Sequence, residues 1–299
     1  MPETITYSHC PSCGSASIYP AISAKDYTVT HEMFEIWHCD DCSLRFTQHV
    51  PGATVIGSYY QSVNYVSHSD NSKGLINRLY HLVRNYTLTG KRKLLQKVTG
   101  KGTGSLLDVG AGTGAFVNTM KLAGWKVTGL EPDETARQNA NTKYGLTLNP
   151  PDNLFTLELA QFDAITMWHV LEHVHDLHAY LEQFHQILKP GGRLLIAVPN
   201  YTSHDAKAYK GFWAAYDVPR HLYHFSPKSM EQLGNRKGFV LADTKPMWFD
   251  SFYVAMLSEQ YRNESGNLIG AAWNGLLSNL KALRNKKKCS SVIYIFSKK

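Results

Sequence analysis

The sequence lacks any apolar run that approaches the roughly 20 residues of a membrane-spanning helix, so no span is expected. Its first residues also lack the basic start and apolar core of a signal peptide, and Glu3 and Cys10 stand there instead. We therefore expect a cytoplasmic protein. With 299 residues, of which 43% are hydrophobic, the chain can build one large domain and an appendage.

The net charge of +7 is unevenly distributed, because two stretches rich in Lys and Arg contain no acidic residue. Eight Lys or Arg lie between Asp70 and Asp108, and seven lie from Lys281 to Lys299. Such stretches attract nucleic acid, a phosphorylated or nucleotide-linked substrate, or an anionic membrane. Either stretch taken alone is typical of a solvated face.

Cysteines are few, five in all, but four of them form two C-x-x-C pairs separated by 25 residues. Tetrahedral zinc takes four soft ligands from two such turns, and cytoplasmic thiols bind metal more readily than they form disulfides. A closed site of four cysteines leaves no position for substrate, so this zinc would stabilise the fold without taking part in catalysis. We expect a structural zinc ribbon over residues 1–50 with these ligands: Cys10, Cys13, Cys39 and Cys42. The adjoining His9 and His38 are the alternative ligands.

A short apolar run ends at Asp108, and three glycines follow at alternate positions: Gly110, Gly112 and Gly114. An amphipathic segment from Ala115 to Ala123 comes next, so the stretch predicts a strand, a tight turn and a helix. Glycine lets a ligand approach the main chain and permits positive φ, and the turn directs backbone N–H groups and a helix N-terminus to one point. The spacing lacks both the G-x-G-x-x-G of dinucleotide binders and the Lys-Ser/Thr ending of a phosphate-binding loop.

Two further strands end in polar or aromatic residues. The strand from Trp125 leads to Glu131, which lies 23 positions after Asp108, where a carboxylate can accept both hydroxyls of a ribose. The strand from Phe162 to Met167 runs into a segment rich in histidine. Because ligands bind beyond the carboxyl ends of parallel strands, we expect the residues at these ends to surround a nucleoside.

Four successive motifs, Asp108 to Gly114, Gly129 to Asp133, Met167 to His173 and Leu188 to Gly192, resemble those of class I S-adenosylmethionine-dependent methyltransferases. The resemblance implies an α/β fold with a doubly wound, seven-stranded, mostly parallel Rossmann-like sheet over residues 91–299. It also implies that the glycine loop holds the methionine part of the cofactor and that Glu131 holds its ribose. The expected cofactor-binding residues are Asp108, Gly110, Ala111, Gly112, Gly114, Phe116, Glu131, Pro132, Met167, Trp168 and His169.

The aromatic stretch from Phe212 to Phe225 follows the fifth strand and contains Arg and His, which suit the binding of an anionic or hydroxylated substrate and removal of its proton. It resembles a run in methyltransferases of sugar and secondary metabolism, some of which carry a zinc domain and methylate carbon on nucleotide-linked deoxysugars. We expect His221 to be the base, with His224 and His169 as the next candidates. The alternative is that these residues only pack the entry to the following helix. Glu172 and His173 are expected to fix their loop by hydrogen bonds.

The expected organisation is a ribbon over 1–50, a linker and helical lid over 51–90, and a methyltransferase domain over 91–299 with a helical insertion at about 250–285. The predicted function is methyl transfer from S-adenosylmethionine to oxygen or carbon of a sugar, a nucleotide sugar or a related small molecule. One alternative is an RNA methyltransferase that uses the ribbon and the basic stretches. The other is a non-catalytic cofactor-binding or scaffolding protein.

Overall fold

A computed structural model describes residues 3–60, 75–263 and 266–299 of the protein, with side chains in the first helix described from residue 83 onward. The linker and lid predicted over 51–90 fall partly outside the described residues. In the described ranges, no helix combines the length and the apolar character needed to cross a membrane.

Strands dominate the first fifty residues, and strands alternate with helices after residue 75. The strands are β1 (Thr4–Ile5), β2 (Ile18–Lys25), β3 (Met33–Cys39), β4 (Arg45–Thr47), β5 (Val50–Pro51), β6 (Ser105–Val109), β7 (Lys126–Leu130), β8 (Phe162–Trp168), β9 (Leu188–Pro199), β10 (Tyr223–His224), β11 (Phe239–Pro246) and β12 (Ser291–Lys298). The helices are α1 (Leu75–Thr99), α2 (Ala115–Leu122), α3 (Glu134–Tyr144), α4 (Leu177–Ile187), α5 (His204–Tyr209), α6 (Pro227–Arg236), α7 (Asp250–Asn263) and α8 (Leu268–Arg284).

The chain divides into two compact units. One, here called the ribbon unit, comprises Met1–Tyr65, His169–His178 and Ile196–Tyr294. The other, here called the glycine-loop unit, comprises Val66–Trp168, Ala179–Leu195 and Ile295–Lys299. The cysteine-rich segment therefore groups with later parts of the chain instead of forming a unit by itself.

A Rossmann-like sheet has its described strands in the order β11-β12-β9-β8-β6-β7. β6 pairs in parallel with both β7 and β8, and their apolar runs are buried, as expected for parallel strands covered on both faces. These described strands number six, whereas seven were predicted. Beside β7 the chain makes one parallel bridge, from Leu130 to Asn149, because Pro150 and Pro151 follow at once and cannot donate to a ladder.

In the ribbon unit, β2, β3 and β4 form an antiparallel sheet, and β10 joins its edge by pairing with β4. β10 belongs to the aromatic stretch that was predicted to contain the base, so the cysteine-rich segment and this stretch share one sheet. Beyond β10, Ser226 caps α6 through a capping box with Ser229, and Pro227 occupies the first turn.

Candidate functional site

The glycine loop between β6 and α2 has the backbone that its sequence predicts. Gly110, Gly112 and Gly114 have φ values of 72°, 53° and 77°, which residues with side chains rarely adopt. A Cβ at Gly114 would lie 3.0 Å from the side chains of Ala140 and Leu146, so that glycine is needed for packing. A Cβ at Gly112 would meet nothing within 4 Å. The main chain at Gly112 is therefore accessible to a ligand.

Glu131, at the end of β7, is almost fully buried and held by backbone groups. Its Oε2 accepts the N–H of Gly112 at 2.7 Å, and its Oε1 accepts the N–H of Asp133 at 3.0 Å. Each carboxylate oxygen can accept a second hydrogen bond. The glycine loop and a fixed carboxylate thus lie together, as the ribose-binding prediction requires.

Asp108 lies beneath this loop, where Thr166 Oγ1 donates to its Oδ1 at 2.6 Å. Burial raises the pKa of Asp108 to about 7, against the opposing effects of Thr166 and of the Lys91 ammonium. Asp108 is 2% exposed, so its role is to support the loop from within. The sequence gives no indication that Lys91 lies near Asp108, because Lys91 is one of eight Lys or Arg residues between Asp70 and Asp108.

Trp168 ends β8 with its ring between a cation and an aromatic ring. Lys91 Nζ lies 4.2 Å from the ring centroid, and Phe116 meets the ring edge-to-face at 5.5 Å. Within the described residues, the buried Trp168 Nε1 has no hydrogen-bond partner. Of the remaining predicted cofactor residues in this unit, Ala111 and Met167 are buried and Pro132 is exposed.

His169 belongs to the ribbon unit and has a strained backbone, with φ at 58°. Its Nε2 lies 2.8 Å from Asp250 Oδ2, and its Nδ1 lies 3.4 Å from Glu172 Oε1. Burial alone would lower its pKa, but the carboxylates of Asp250 and Glu172 raise it to about 10. His169 is therefore a cation near neutral pH, and it is better suited to carry charge than to act as the base.

His221 is oriented through one ring nitrogen. Its Nδ1 lies 2.9 Å from the carbonyl oxygen of Ala215, and a carbonyl only accepts, so the proton resides on Nδ1. In the neutral ring the lone pair is then on Nε2, which lies 4.0 Å from Asp217 Oδ2. The side chain is 11% exposed, and the ring meets that of His173 edge-to-face at 4.6 Å. A ring with its proton on Nδ1 and its Nε2 open is the arrangement that a general base uses.

Glu172 and His173 lie in the loop that they were expected to fix. The side chain of Glu172 is fully buried, and its contact in the described part of the chain is the ion pair of Oε1 with His169 Nδ1 at 3.4 Å. Glu172 holds its loop through the ion pair with His169, and His173 Nδ1 lies 3.0 Å from the carbonyl oxygen of Arg220. Burial, and next the proximity of His221, lower the pKa of His173 to about 4. One donor atom from each of Glu172, His173 and His221 lies within 4.8 Å of the others, so the three could also hold a metal ion.

His224 occupies β10 and is 3% exposed. Its Nε2 lies 3.0 Å from Thr47 Oγ1 on β4, and burial holds its pKa well below the usual range. The ring also meets Tyr216 edge-to-face at 5.1 Å. The contact between His224 Nε2 and Thr47 links β10 to β4. The contacts of His221, by contrast, leave its Nε2 available.

Arg220 is the arginine of the aromatic stretch that suited an anionic or hydroxylated substrate, and the structure shows it paired within the protein. The side chain is 1% exposed, and its Nη2 donates to Asp217 Oδ1 at 2.6 Å and to Asp26 Oδ1 at 3.0 Å. Its Nη1 donates to the carbonyl oxygen of Tyr59 at 2.9 Å. A guanidinium engaged in this way connects the loop that precedes His221 to its surroundings and is not available to a substrate.

The four cysteines of the two C-x-x-C pairs meet as predicted. Cys10 Sγ lies 3.5 Å from Cys42 Sγ, Cys13 Sγ lies 3.5 Å from Cys39 Sγ, and all four sulfurs lie within 4.8 Å of one another. Four thiolates at a zinc–sulfur distance of about 2.3 Å are separated by about 3.8 Å in a tetrahedron. The hydrogen bond between Cys10 and Cys42 lowers the pKa of Cys10 to about 5 and raises the pKa of Cys42. The donor set and its spacing fit zinc.

Comparison with known proteins identifies a methyltransferase-domain family whose model matches residues 80–244. The chain is 27% identical over 176 residues to a demethylmenaquinone methyltransferase of Tropheryma whipplei, covering 56% of this chain and 70% of that one. It is 34% identical over 126 residues to a ubiquinone biosynthesis O-methyltransferase of Actinobacillus pleuropneumoniae, covering 38% of this chain and 52% of that one.

Solved structures share the fold. Magnesium protoporphyrin IX methyltransferase from Synechocystis, with bound S-adenosylhomocysteine, superposes with a TM-score of 0.55 at 14% identity, covering 83% of this chain and all of that one. A putative sarcosine dimethylglycine methyltransferase from Galdieria sulphuraria gives a TM-score of 0.50 at 17% identity, covering 74% of this chain and 87% of that one.

Proposed function

We propose, from the premise that this chain belongs to the methyltransferase-domain family and is a class I S-adenosylmethionine-dependent methyltransferase, that it methylates oxygen or carbon of a small molecule. The cofactor, when bound, supplies an electrophilic methyl group on a sulfonium. Gly110 to Gly114 would hold its methionine part against open main chain, and Glu131 would accept the ribose hydroxyls. Trp168 would offer its apolar ring to the adenine.

The observation that supports an acidic acceptor is the tautomer of His221. With Nδ1–H donated to Ala215, the Nε2 lone pair is free to take a proton from a hydroxyl or a carbon acid. Asp217 and Glu172 carry the negative charge that stabilises the imidazolium once it forms. His169, held as a cation by Asp250, offers a positive charge to an acceptor that becomes anionic.

A small acceptor is also supported by the relatives, whose names describe methyl transfer to demethylmenaquinone and in ubiquinone biosynthesis. An acceptor with a phenolic hydroxyl, or a sugar as the aromatic stretch suggests, would present an O–H or C–H to a base. We further propose that Cys10, Cys13, Cys39 and Cys42 bind one structural zinc ion.

Transfer of labelled methyl from S-adenosylmethionine to defined acceptors tests this function. We expect transfer to at least one member of a panel of hydroquinones, catechols and nucleotide-linked deoxysugars, and none to RNA. The reason is that the side chain of His221 is only 11% exposed, which favours a small acceptor over a polymer. Transfer to RNA alone, with the steep salt dependence of phosphate contacts, would contradict the proposal.

A further inference from the structure

Helix α8, in the ribbon unit, turns its large apolar side chains outward. Five of them line one side, with exposed fractions of 84% at Ile269, 61% at Trp273, 44% at Leu276, 47% at Leu280 and 68% at Leu283. The residues that pack inward are small: Ala271, Gly275, Ser278 and Ala282. This is the reverse of a helix that contributes to a core, where large apolar residues face inward.

The five exposed side chains form one continuous stripe. They are spaced by four, three, four and three residues, which places them on the same face of the helix. A helix of 17 residues is about 25 Å long, so the stripe runs along most of it. Large exposed apolar patches on soluble proteins mark sites of association with a protein, a ligand or a membrane.

Basic residues continue from the end of the stripe. The segment from Lys281 to Lys288 contains five Lys or Arg and no acid, and Lys281, Arg284 and Lys286 are exposed. The occupant of this face must therefore be apolar along the stripe and anionic at its C-terminal end. A second copy of the chain would offer the same stripe, but residues 268–288 contain no acidic side chain to meet these cations.

We propose that α8 docks the protein onto the surface of a bilayer that contains anionic lipid. The stripe enters the boundary between headgroups and acyl chains, with the indole of Trp273 at the depth that tryptophan favours. The basic segment after the stripe contacts the lipid phosphates. This surface association is independent of which acceptor the enzyme methylates.

Flotation of the full-length, zinc-replete protein with vesicles tests the proposal. The probes are vesicles of phosphatidylcholine alone and of phosphatidylcholine mixed with phosphatidylglycerol. We expect binding to the mixed vesicles, weakened by salt, and little binding to phosphatidylcholine alone. Ile269→Glu should lower the partition coefficient at least about tenfold, because it places a charge in the stripe. Arg284→Gln and Lys286→Gln should each lower it about fivefold.

Leu122→Glu is the matched control, because Leu122 is 80% exposed on α2 and lies outside the stripe. It should leave vesicle binding unchanged. Leu283→Glu provides a second stripe variant if Ile269→Glu lowers the melting temperature. Absence of binding to anionic vesicles, or equal losses in Leu122→Glu and Ile269→Glu, would overturn the proposal. So would a dimer that Ile269→Glu dissociates without any change in vesicle binding, since the face would then join two copies.

Discussion

Loss of metal from the four cysteines, by chelation or by Cys39→Ser, should lower methyl transfer strongly while the affinity for S-adenosylmethionine is kept. Structural zinc supplies about 10–16 kcal/mol to the folding of small cysteine sites, so a ribbon without metal is expected to unfold. In the ribbon unit, β4 pairs with β10, and Thr47 Oγ1 donates to the carbonyl oxygen of His221 at 2.7 Å. Asp26 also holds Arg220. The proposed base would lose these supports together.

The cofactor residues should respond differently, because the glycine loop and Glu131 belong to the glycine-loop unit. Turnover, zinc content and calorimetric affinity for S-adenosylmethionine are measured on the same samples. We expect turnover to fall at least about a hundredfold, since a misplaced base loses the whole contribution of proton transfer. Cys289→Ser is the control. Cys289 is a buried cysteine near the end of the sequence, and it is not one of the four clustered thiols. Full turnover by protein shown to lack zinc would contradict the account.

His221→Ala should lower kcat by about 10²–10⁴-fold, the usual contribution of a general base, while cofactor affinity is unchanged. Added imidazole should restore part of the turnover, because it supplies the missing nitrogen in the space that the substitution opens. A residue with only a structural role would show no such rescue. His185 lies on α4, in the part of that helix that belongs to the glycine-loop unit. His185→Ala is therefore the matched control and should retain full turnover. Unchanged turnover in His221→Ala would remove His221 from the mechanism.

The parts of the site that follow from local chemistry could be predicted from the sequence. Positive φ at Gly110, Gly112 and Gly114 follows from a tight turn between a strand and a helix, and Glu131 follows from the end of the next strand. The clustering of the four cysteines follows from the pairing of two C-x-x-C turns. In each case the residues that interact belong to one turn, to the ends of consecutive strands or to a repeated motif, so a local pattern is enough to bring them together.

The parts that depend on distant partners could not be predicted in this way. Arg220 looks like a ligand for an anion until Asp26, 194 residues away, is found bonded to it. His169 looks like a base until Asp250 is found beside it and raises its pKa. The joining of β10 to the ribbon sheet likewise depends on a pairing across the chain, which no local pattern of Tyr223 and His224 reveals.

The most direct test of the account is a calorimetric titration of zinc-replete protein with S-adenosylmethionine, beside Glu131→Ala. We expect micromolar binding by the wild type, which corresponds to about 8 kcal/mol, and no measurable binding by Glu131→Ala. Glu134→Ala, an exposed acid in the first turn of α3, is the control and should bind as the wild type does. Equal affinity in wild type and Glu131→Ala, or no binding by the folded wild type, would contradict the assignment of the cofactor site.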